Sequence, residues 1–297
     1  MKFSTIALLV DVSIVLVNFK TPELTLSAIG SVIQTVSEYN YEIILVDNHS
    51  CDGIIEHVSN TYPQVRVIEN QENFGFSKAN NQGIRIASGR YILLLNSDTV
   101  IQPNTLETMI SFMDAHPTVG ASGCKVVLPN GELDKACRRG FPTPSASFYY
   151  AFGFSKLFPN VPRFNQYQLG YLDPDESYPV DCLVGAFMMV RREVIDQVGG
   201  LDEEFFMYGE DIDWCYRIKQ AGWEIYYYPK TSIIHYKGAS SRRKPFKIVY
   251  EFHRAMWLFH RKHYQKKYLP LVNGLVYLGI GIKFVMALIK NGMKRLG

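Results

Sequence analysis

The stretch YILLLNSD, residues 91–98, decides how the rest of the chain is interpreted. Five mainly apolar residues are followed at once by the polar residues Asn96, Ser97 and Asp98. A short apolar run that ends in polar residues is typical of a strand buried on both faces, as in a parallel sheet covered by helices. The polar triplet is then expected at the carboxyl edge of the sheet, where such proteins bind their ligands.

Strand-like and helical patterns alternate on both sides of this stretch. Further strands are predicted at residues 12–18, 42–47, 65–69, 119–128, 182–190 and 223–228, and helices at residues 21–36, 77–88, 103–116, 191–198 and 211–221. The alternation predicts an α/β fold with one mostly parallel sheet and flanking helices. Residues 140–180 are rich in Pro, Phe and Tyr and lack a clear period. They predict either a binding or lid segment or a packed satellite of the core.

Polar residues also follow the first two predicted strands. Asn18 ends the first strand, and Asp47 and Asn48 end the second. Because the carboxyl ends of parallel strands lie at one edge of a sheet, the three polar clusters together predict a nucleotide-binding cleft. Each cluster taken alone is equally explained by helix caps and turns.

Asp98 and His235 are candidate ligands of a divalent cation. Mg²⁺ and Mn²⁺ prefer oxygen ligands and take much of their coordination shell from phosphates and water, so few protein ligands are needed. Asn96 can add a neutral oxygen or position a ribose. His235 lies in the run IIHY (residues 233–236). A lone histidine in such a run is more often a hydrogen-bonded core residue, so its role as a ligand depends on Asp98.

The sequence GEDIDW, residues 209–214, places three acids in the first turn of a predicted helix. The partial positive charge at a helix N-terminus favours an ionised carboxylate, which a general base requires. Asp211 is therefore the candidate base. Plain helix capping is the alternative explanation for these acids, and Asp213 fits it best.

Several other chemistries lack their sequence signatures. The motifs GxGxxG, GxxxxGK[ST], GxSxG and HExxH are absent, which disfavours dinucleotide, P-loop, serine-hydrolase and zinc-protease functions. The five cysteines are widely spaced and contain no CxxC pair. This pattern predicts reduced thiols and disfavours a zinc site or a disulfide framework.

Taken in order, these motifs resemble family 2 glycosyltransferases, in particular the rhamnosyltransferase-like branch. The matching stretches are VSIVLVNFK (12–20), ILVDNHSCDG (44–53), ENFGFSKANNQGIRIASGRYILLLNSDT (72–99), LVGAFMMVRREVIDQVGGLDEEFFMYGEDIDWCYRIKQAGWEIYYYP (183–229) and IIHYKGASS (233–241). The resemblance covers residues 12–241. It implies the GT-A fold, with a single Rossmann-like sheet, and transfer of a sugar from a nucleoside-diphosphate donor to an acceptor hydroxyl with inversion.

The resemblance also implies roles for residues that bind the substrates. Asp47 is expected to contact the nucleotide base, and Asn18 is expected beside the nucleotide. Gly185 and Ala186 would line the acceptor side. Three further residues fall in a donor-binding stretch without an individual role: Lys78, Asn80 and Asn81.

For catalysis, the resemblance places Asp211 as the base of the family's ED motif. Asn96 and Asp98 occupy its DxD position, and His235 matches a late metal-ligand histidine. Asparagine at the first DxD position keeps an oxygen ligand but loses a charge, which predicts a weaker metal affinity. Mg²⁺ or Mn²⁺ remains the expected cofactor, with Asp98, His235 and Asn96 as its candidate ligands.

The C-terminal region differs in charge from the rest of the chain. Residues 237–297 contain 14 Lys or Arg and one acid, Glu251, whereas residues 1–236 contain 17 basic and 27 acidic residues. Residues 247–268 read as a basic, aromatic helix, and residues 269–289 as an apolar one interrupted by Pro270, Asn273 and Lys283. We therefore expect a glycosyltransferase domain at residues 1–241 and a membrane-associated helical region at residues 242–297.

A helix lying in the membrane interface is the favoured prediction for residues 269–289, followed by a membrane-spanning helix. A helix packed in a homodimer ranks third. No nucleic-acid-binding motif accompanies the positive charge. The expected location is cytoplasmic, peripheral at the inner face of the cell membrane.

The resemblance makes rhamnose from a dTDP donor the first expectation, and galactose, glucose or another hexose from a UDP donor the second. The expected acceptor is a glycan or a lipid-linked glycan in cell-surface polysaccharide synthesis. Two alternatives stay open. A sugar-nucleotide nucleotidyltransferase should carry a Gly- and Lys/Arg-rich loop after the first strand, whereas residues 18–22 contain no glycine. An inactive carbohydrate-binding or scaffold protein could share the fold.

Overall fold

The computed structural model describes residues 9–35, 38–237 and 245–293 of the 297-residue chain. The strands are β1 (Val12–Asn18), β2 (Tyr41–Asp47), β3 (Arg66–Glu69), β4 (Tyr91–Leu95), β5 (Thr99–Ile101), β6 (Val119–Val127), β7 (Tyr178–Pro179), β8 (Phe187–Arg191) and β9 (Glu224–His235). The helices are α1 (Pro22–Thr35), α2 (Ile54–Thr61), α3 (Phe76–Ile86), α4 (Thr105–Ala115), α5 (Pro144–Ala151), α6 (Phe154–Leu157), α7 (Arg192–Val198), α8 (Glu210–Gln220), α9 (Pro245–His263) and α10 (Pro270–Met293). The predicted domain boundary between residues 241 and 242 lies outside the described residues.

The strands form one sheet in the order β3-β2-β1-β4-β8-β6-β9-β5, with β7 paired to β9. The half from β3 to β4 is parallel. Strand β8 then lies antiparallel between β4 and β6, and β6 and β9 are parallel to each other. The predicted α/β sheet with flanking helices is confirmed, but its second half is mixed.

Close packing of α3 against β1 depends on a glycine. A Cβ atom added to Gly83 would lie 2.4 Å from Cγ1 of Val15, a fully buried residue of β1. Such a distance is far below van der Waals contact, so a side chain at residue 83 would push the helix away from the sheet. The position of α3 places the Gly75 turn at its N-terminus beside the strand ends that carry the polar residues.

Strand pairing brings distant polar residues to one edge of the sheet. The parallel register of β1 and β2 pairs Asn18 with Asp47. The antiparallel register of β5 and β9 pairs Thr99 with His235, so His235 lies next to Asp98. Strand β9 continues well beyond the predicted end at residue 228, and this extension carries His235 to the edge.

The C-terminal helix α9 belongs to the folded body. Leu258 and Phe259 of α9 are buried in a second apolar cluster with Phe205 and Tyr216. Helix α10 packs against α9, where His260 Nε2 and Asn273 Oδ1 lie 2.8 Å apart. All five cysteines are free thiols, in agreement with the sequence.

Candidate active site

Asp98 and His235 meet at the carboxyl edge of the sheet. His235 Nε2 lies 3.2 Å from Asp98 Oδ1, and His235 Nδ1 lies 3.3 Å from Asp134 Oδ2. Burial lowers the pKa of His235, but hydrogen bonds to Asp134 and Asp98 outweigh burial and raise it to about 9. Lys237 Nζ contacts Asp134 at 2.9 Å. The ring is thus held between two carboxylates with its orientation fixed, and a cation bound at Nε2 would replace the proton on that nitrogen.

Asn96 contributes a buried oxygen beside this pair. Its backbone N–H donates to the carbonyl of Ala186 at 3.1 Å, and its side-chain Oδ1 is buried without a hydrogen-bond partner. An unpartnered buried acceptor is costly unless a ligand satisfies it. Asn96, Asp98 and His235 therefore fit a divalent cation that takes its other ligands from a diphosphate. Within the described ranges, no three His, Cys, Asp or Glu side chains are grouped to hold a metal.

Asp211 lies in the first turn of α8 and is buried. Its Oδ2 accepts a hydrogen bond from Arg139 Nη2 at 2.7 Å and from the Gly185 N–H at 3.4 Å. Arg139 Nη2 also donates to the Leu183 carbonyl at 2.6 Å. Gly185 directly precedes the residue whose carbonyl accepts from the Asn96 N–H, so Asp211 lies at the same sheet edge as the candidate cation ligands.

The two acids beside Asp211 have different environments. Burial, reinforced by the charge of Asp211, raises the pKa of Glu210 to about 8, and Glu210 Oε2 has no hydrogen-bond partner. Asp213 is ion-paired with Arg217 at 2.8 Å, and its Oδ1 lies 2.7 Å from His263 Nε2. Asp213 therefore stabilises the contact between α8 and α9 and is not the helix cap that the sequence predicted, since the N-cap of α8 is Gly209, without a side-chain cap bond.

Asn18 organises the ends of β1 and β2. Its Nδ2 donates to Asp47 Oδ1 at 2.8 Å and to Ser50 Oγ at 2.9 Å. Its Oδ1 lies 3.3 Å from Thr21 Oγ1, which in turn is 3.4 Å from Ser97 Oγ. Because Ser97 separates Asn96 from Asp98, these bonds connect the Asn18–Asp47 pair with the candidate cation ligands.

An open cleft of about 320 Å³ adjoins Asp47. Its other lining residues come from the turn after β2, from the start of α2 and from the end of β3: His49, Cys51, Asp52, Gly53, Ile54, Ile55, Glu56 and Glu69. The cleft combines apolar walls with hydrogen-bond acceptors. These features suit a nucleoside base, whose exocyclic or ring N–H groups can donate to carboxylates.

The three residues of the predicted donor-binding stretch on α3 differ in their contacts. Lys78 is partly exposed, with its Nζ 3.9 Å from the centre of the Phe74 ring. Asn80 Nδ2 donates to the Phe76 carbonyl at 2.9 Å. Asn81 bonds the backbone of Leu201 in both directions. Lys78 is therefore the residue most available to a ligand, and donor contacts by Asn80 and Asn81 stay predictions.

Residues 13–199 match the family model described as glycosyl transferase family 2, which is more than half of the chain. The chain belongs to that family. It is a glycosyltransferase, and residues 166–239 also match a model described as the N-terminal domain of galactosyltransferase. The two matches together span the site, from the strand that ends in Asn18 to His235.

Curated relatives place the glycosyltransferase in the rhamnosyltransferase-like branch. It is 28% identical over 238 residues to an N-acetylglucosaminyl-diphospho-decaprenol L-rhamnosyltransferase of Mycobacterium tuberculosis, covering 76% of each chain. It is 29% identical over 212 residues to the rhamnosyltransferase WbbL of Escherichia coli, covering 68% of this chain and 75% of the relative.

Solved structures confirm the GT-A-like fold. TarS of S. aureus superposes with a TM-score of 0.56 at 15% identity, covering 92% of this chain and 72% of that one. A mannosyltransferase of Pyrobaculum calidifontis, in complex with GDP-mannose and Mn²⁺, superposes with a TM-score of 0.58 at 16% identity, covering 95% and 75%.

Sequence reasoning missed two residues of this site, Arg139 and Asp134. Both lie in or near the aperiodic region that follows β6, where no helical or strand pattern indicates which side chains point inward. The sequence offered one signal for Arg139. It is preceded by Arg138 in the stretch KACRRGF, residues 135–141, and an arginine that becomes buried requires a partner.

Proposed function

We propose that this glycosyltransferase transfers a sugar, L-rhamnose in the first instance, from a dTDP donor to a hydroxyl group of a lipid-linked glycan, with inversion and with a divalent cation. A UDP-hexose is the second candidate donor. The proposal rests mainly on one observation. The candidate base and the candidate cation ligands lie at the same edge of the sheet: Asp211, Asn96, Asp98 and His235. The names of the two rhamnosyltransferase relatives support the choice of sugar, and one of them names a diphospho-decaprenol acceptor.

In this mechanism Asp211 takes the proton from the acceptor hydroxyl as that oxygen attacks the anomeric carbon. General-base catalysis of this kind typically contributes about 10²- to 10⁴-fold in rate. Arg139 holds the Asp211 carboxylate in a fixed orientation through the bond to Oδ2. One displacement inverts the anomeric centre, so no covalent sugar–enzyme intermediate is needed.

Asp98, His235 and Asn96 would hold the cation, either Mg²⁺ or Mn²⁺. When bound, the cation supplies charge that stabilises the departing nucleoside diphosphate. Asp134 orients the His235 ring from its far nitrogen, as outer carboxylates do in many metal sites. Asn18 and Asp47 lie where the nucleoside would enter, next to the 320 Å³ cleft.

The proposed location is the cytoplasmic face of the cell membrane. Helix α10 is long and apolar enough at residues 270–292 to cross a membrane, by length and composition only, and little of it is buried against the protein. Its two exposed lysines, Lys283 and Lys290, favour a position in the interface over a crossing.

A screen of nucleotide sugars by thermal stabilisation tests the donor assignment. dTDP-rhamnose with Mn²⁺ should raise the unfolding temperature more than dTDP-rhamnose with EDTA, and more than GDP-mannose with Mn²⁺, because only bound ligands stabilise the folded state. Product formation on a prenyl-diphosphate glycan then tests transfer. If the protein were instead stabilised by a nucleoside triphosphate and a sugar phosphate, and made a nucleotide sugar from them, it would be a nucleotidyltransferase.

A further inference from the structure

Residues 144–161 form a surface segment with exposed aromatic side chains. Aromatic rings of this segment pack on one another, with the ring of Phe148 4.6 Å from that of Phe152 and 6.2 Å from that of Phe154 in α6. Phe152 is 67% exposed and Leu157 is 72% exposed, while Phe148 and Phe158 are about half exposed. Ordinary protein surfaces expose apolar residues singly, whereas a cluster of exposed apolar side chains indicates a binding surface. Within the predicted segment of residues 140–180, residues 144–161 are thus the exposed part, whereas Leu169 and Val180 are buried in the core.

Helix α10 presents a second apolar surface. Exposed aliphatic residues recur at intervals of three and four on its outer side: Leu271, Leu275, Leu278, Ile282, Val285 and Ile289. The opposite side packs on α9, with the rings of Phe284 and Tyr250 6.3 Å apart. Lys283 and Lys290 are exposed along one flank of this stripe, at the helical period of 3.6 residues.

The two apolar surfaces are neighbours. Lys283 of α10 extends over the ring of Tyr150 in α5, with Nζ 5.9 Å from the ring centre. Tyr150 is itself exposed. The aromatic segment thus lies beside the flank of α10 that carries the lysines. We call the two adjoining surfaces the apolar face (residues 144–161 and 269–290).

We propose that the apolar face docks into the interface of an anionic lipid membrane, with the aromatic segment as a second docking element beside α10. Lysines that flank an apolar stripe place their charged ends among lipid headgroups while aromatic rings insert at the same depth. Residues 144–161 and 269–290 contain three lysines (Lys156, Lys283 and Lys290) and no acid, so anionic headgroups complement the charge of the face. A second copy of the chain would set this positive surface against an equally positive one.

Both parts of the apolar face connect to the surroundings of Asp211. The aromatic segment begins five residues after Arg139, the partner of Asp211. Helix α9, on which α10 packs, is bonded to the catalytic helix α8 through His263 and Asp213 at 2.7 Å. Docking by this face would hold the Asp211 edge at a fixed height over the bilayer. The benefit of that fixed height for catalysis rests on the proposed lipid-linked acceptor, whereas docking itself does not.

The test uses the full chain and phosphatidylglycerol vesicles that contain brominated lipids, which quench only tryptophans inserted at their depth. Phe152→Trp is compared with Leu9→Trp, because Leu9 is 88% exposed and precedes β1, at the end of that strand opposite to Asn18. After subtraction of the wild-type signal, the tryptophan at residue 152 should be quenched and the one at residue 9 should not.

Partitioning gives the second readout. Phe152→Ser combined with Leu157→Ser should weaken vesicle binding about tenfold or more, because the two substitutions remove apolar side chains that docking would bury in the membrane. Leu9→Ser should bind like wild type. Both variants should keep wild-type unfolding temperatures and turnover of a water-soluble acceptor, which separates docking from the proposed function. Equal quenching at residues 152 and 9, or unchanged partitioning of the double variant, would overturn the proposal.

Discussion

Arg139 Nη2 lies 2.7 Å from Asp211 Oδ2, and about nine-tenths of each side chain is buried. Burial alone lowers the pKa of Arg139, but the Asp211 carboxylate outweighs burial and raises it well above its usual value. The two residues are 72 positions apart, and their contact joins the aperiodic region after β6 to the N-terminus of α8. The candidate base is therefore positioned by a partner that lies outside every sequence motif of the site.

Asp211→Asn should reduce kcat by about 10²- to 10⁴-fold, because the amide cannot accept the acceptor proton. Donor affinity, measured by titration calorimetry, should change little. Asp213→Asn is the matched control: Asp213 is a buried acid on the same helix that is ion-paired with an arginine, so the substitution should lower stability but keep most of kcat. Full turnover by the Asp211→Asn enzyme would exclude Asp211 as the base.

Arg139→Ala should lower the free energy of unfolding by about 3–5 kcal/mol, because it leaves the Asp211 carboxylate buried without its partner. Arg139→Lys keeps the charge but cannot bond both Asp211 and the Leu183 carbonyl with the same geometry. We expect this variant to fold and to lose kcat while the KM for the donor is maintained. A lysine variant with wild-type kcat would show that the orientation of Asp211 does not depend on Arg139.

Asp134→Asn should weaken the affinity for Mn²⁺ in the presence of nucleoside diphosphate by about 10- to 100-fold, since outer carboxylates orient metal-binding histidines. Asp98→Asn, which removes a direct ligand, should weaken it further. Asp114→Asn serves as the control, because Asp114 pairs with Arg90 at the other edge of the sheet. Titration of Mn²⁺ followed by electron paramagnetic resonance measures all three. Equal affinities in the Asp98 and Asp114 variants would contradict the ligand assignment.

The lowered pKa of Glu42 predicts that the protein loses stability at acidic pH. Burial raises its pKa, but hydrogen bonds from Ser13, Ser88 and Arg66 outweigh burial and lower it to about 2. Because the folded-state pKa lies below the unfolded value of about 4.5, this group stabilises the fold above pH 4.5 and the contribution disappears as the pH falls towards 2. Glu42→Gln should cost about 1–2 kcal/mol at pH 7, allowing for partial solvent screening, and almost nothing at pH 2. Urea unfolding at several pH values measures this; a pH-independent difference from wild type would contradict it.

The first half of the sheet was predictable because its strands consist almost entirely of apolar residues. Strands β1, β2 and β4 are apolar runs buried on both faces, and their predicted ends differ from the observed ends by at most one residue. The polar residues that follow them had to lie at one edge, since parallel strands cannot end elsewhere. Asn18, Asp47 and Asp98 were found by this reasoning.

The second half was less predictable because its pairing is not local. The antiparallel insertion of β8 between β4 and β6 depends on contacts between residues about 70 to 100 positions apart. The short strand β5 and the far end of β9 have no apolar run long enough to indicate a strand, yet their pairing places His235 beside Asp98. Arg139 and Asp134 escaped prediction for the same reason: their partners are set by the tertiary fold.

Anomalous diffraction from a crystal of the full chain grown with Mn²⁺ and dTDP tests most directly whether the cation, the nucleotide and Asp211 share one cleft. We expect a manganese peak bonded to the Asp98 carboxylate and His235 Nε2, with the thymine beside Asp47 and the terminal phosphate on the Asp211 side. A manganese peak or a nucleotide bound away from these residues, or a terminal phosphate facing away from Asp211, would contradict the account.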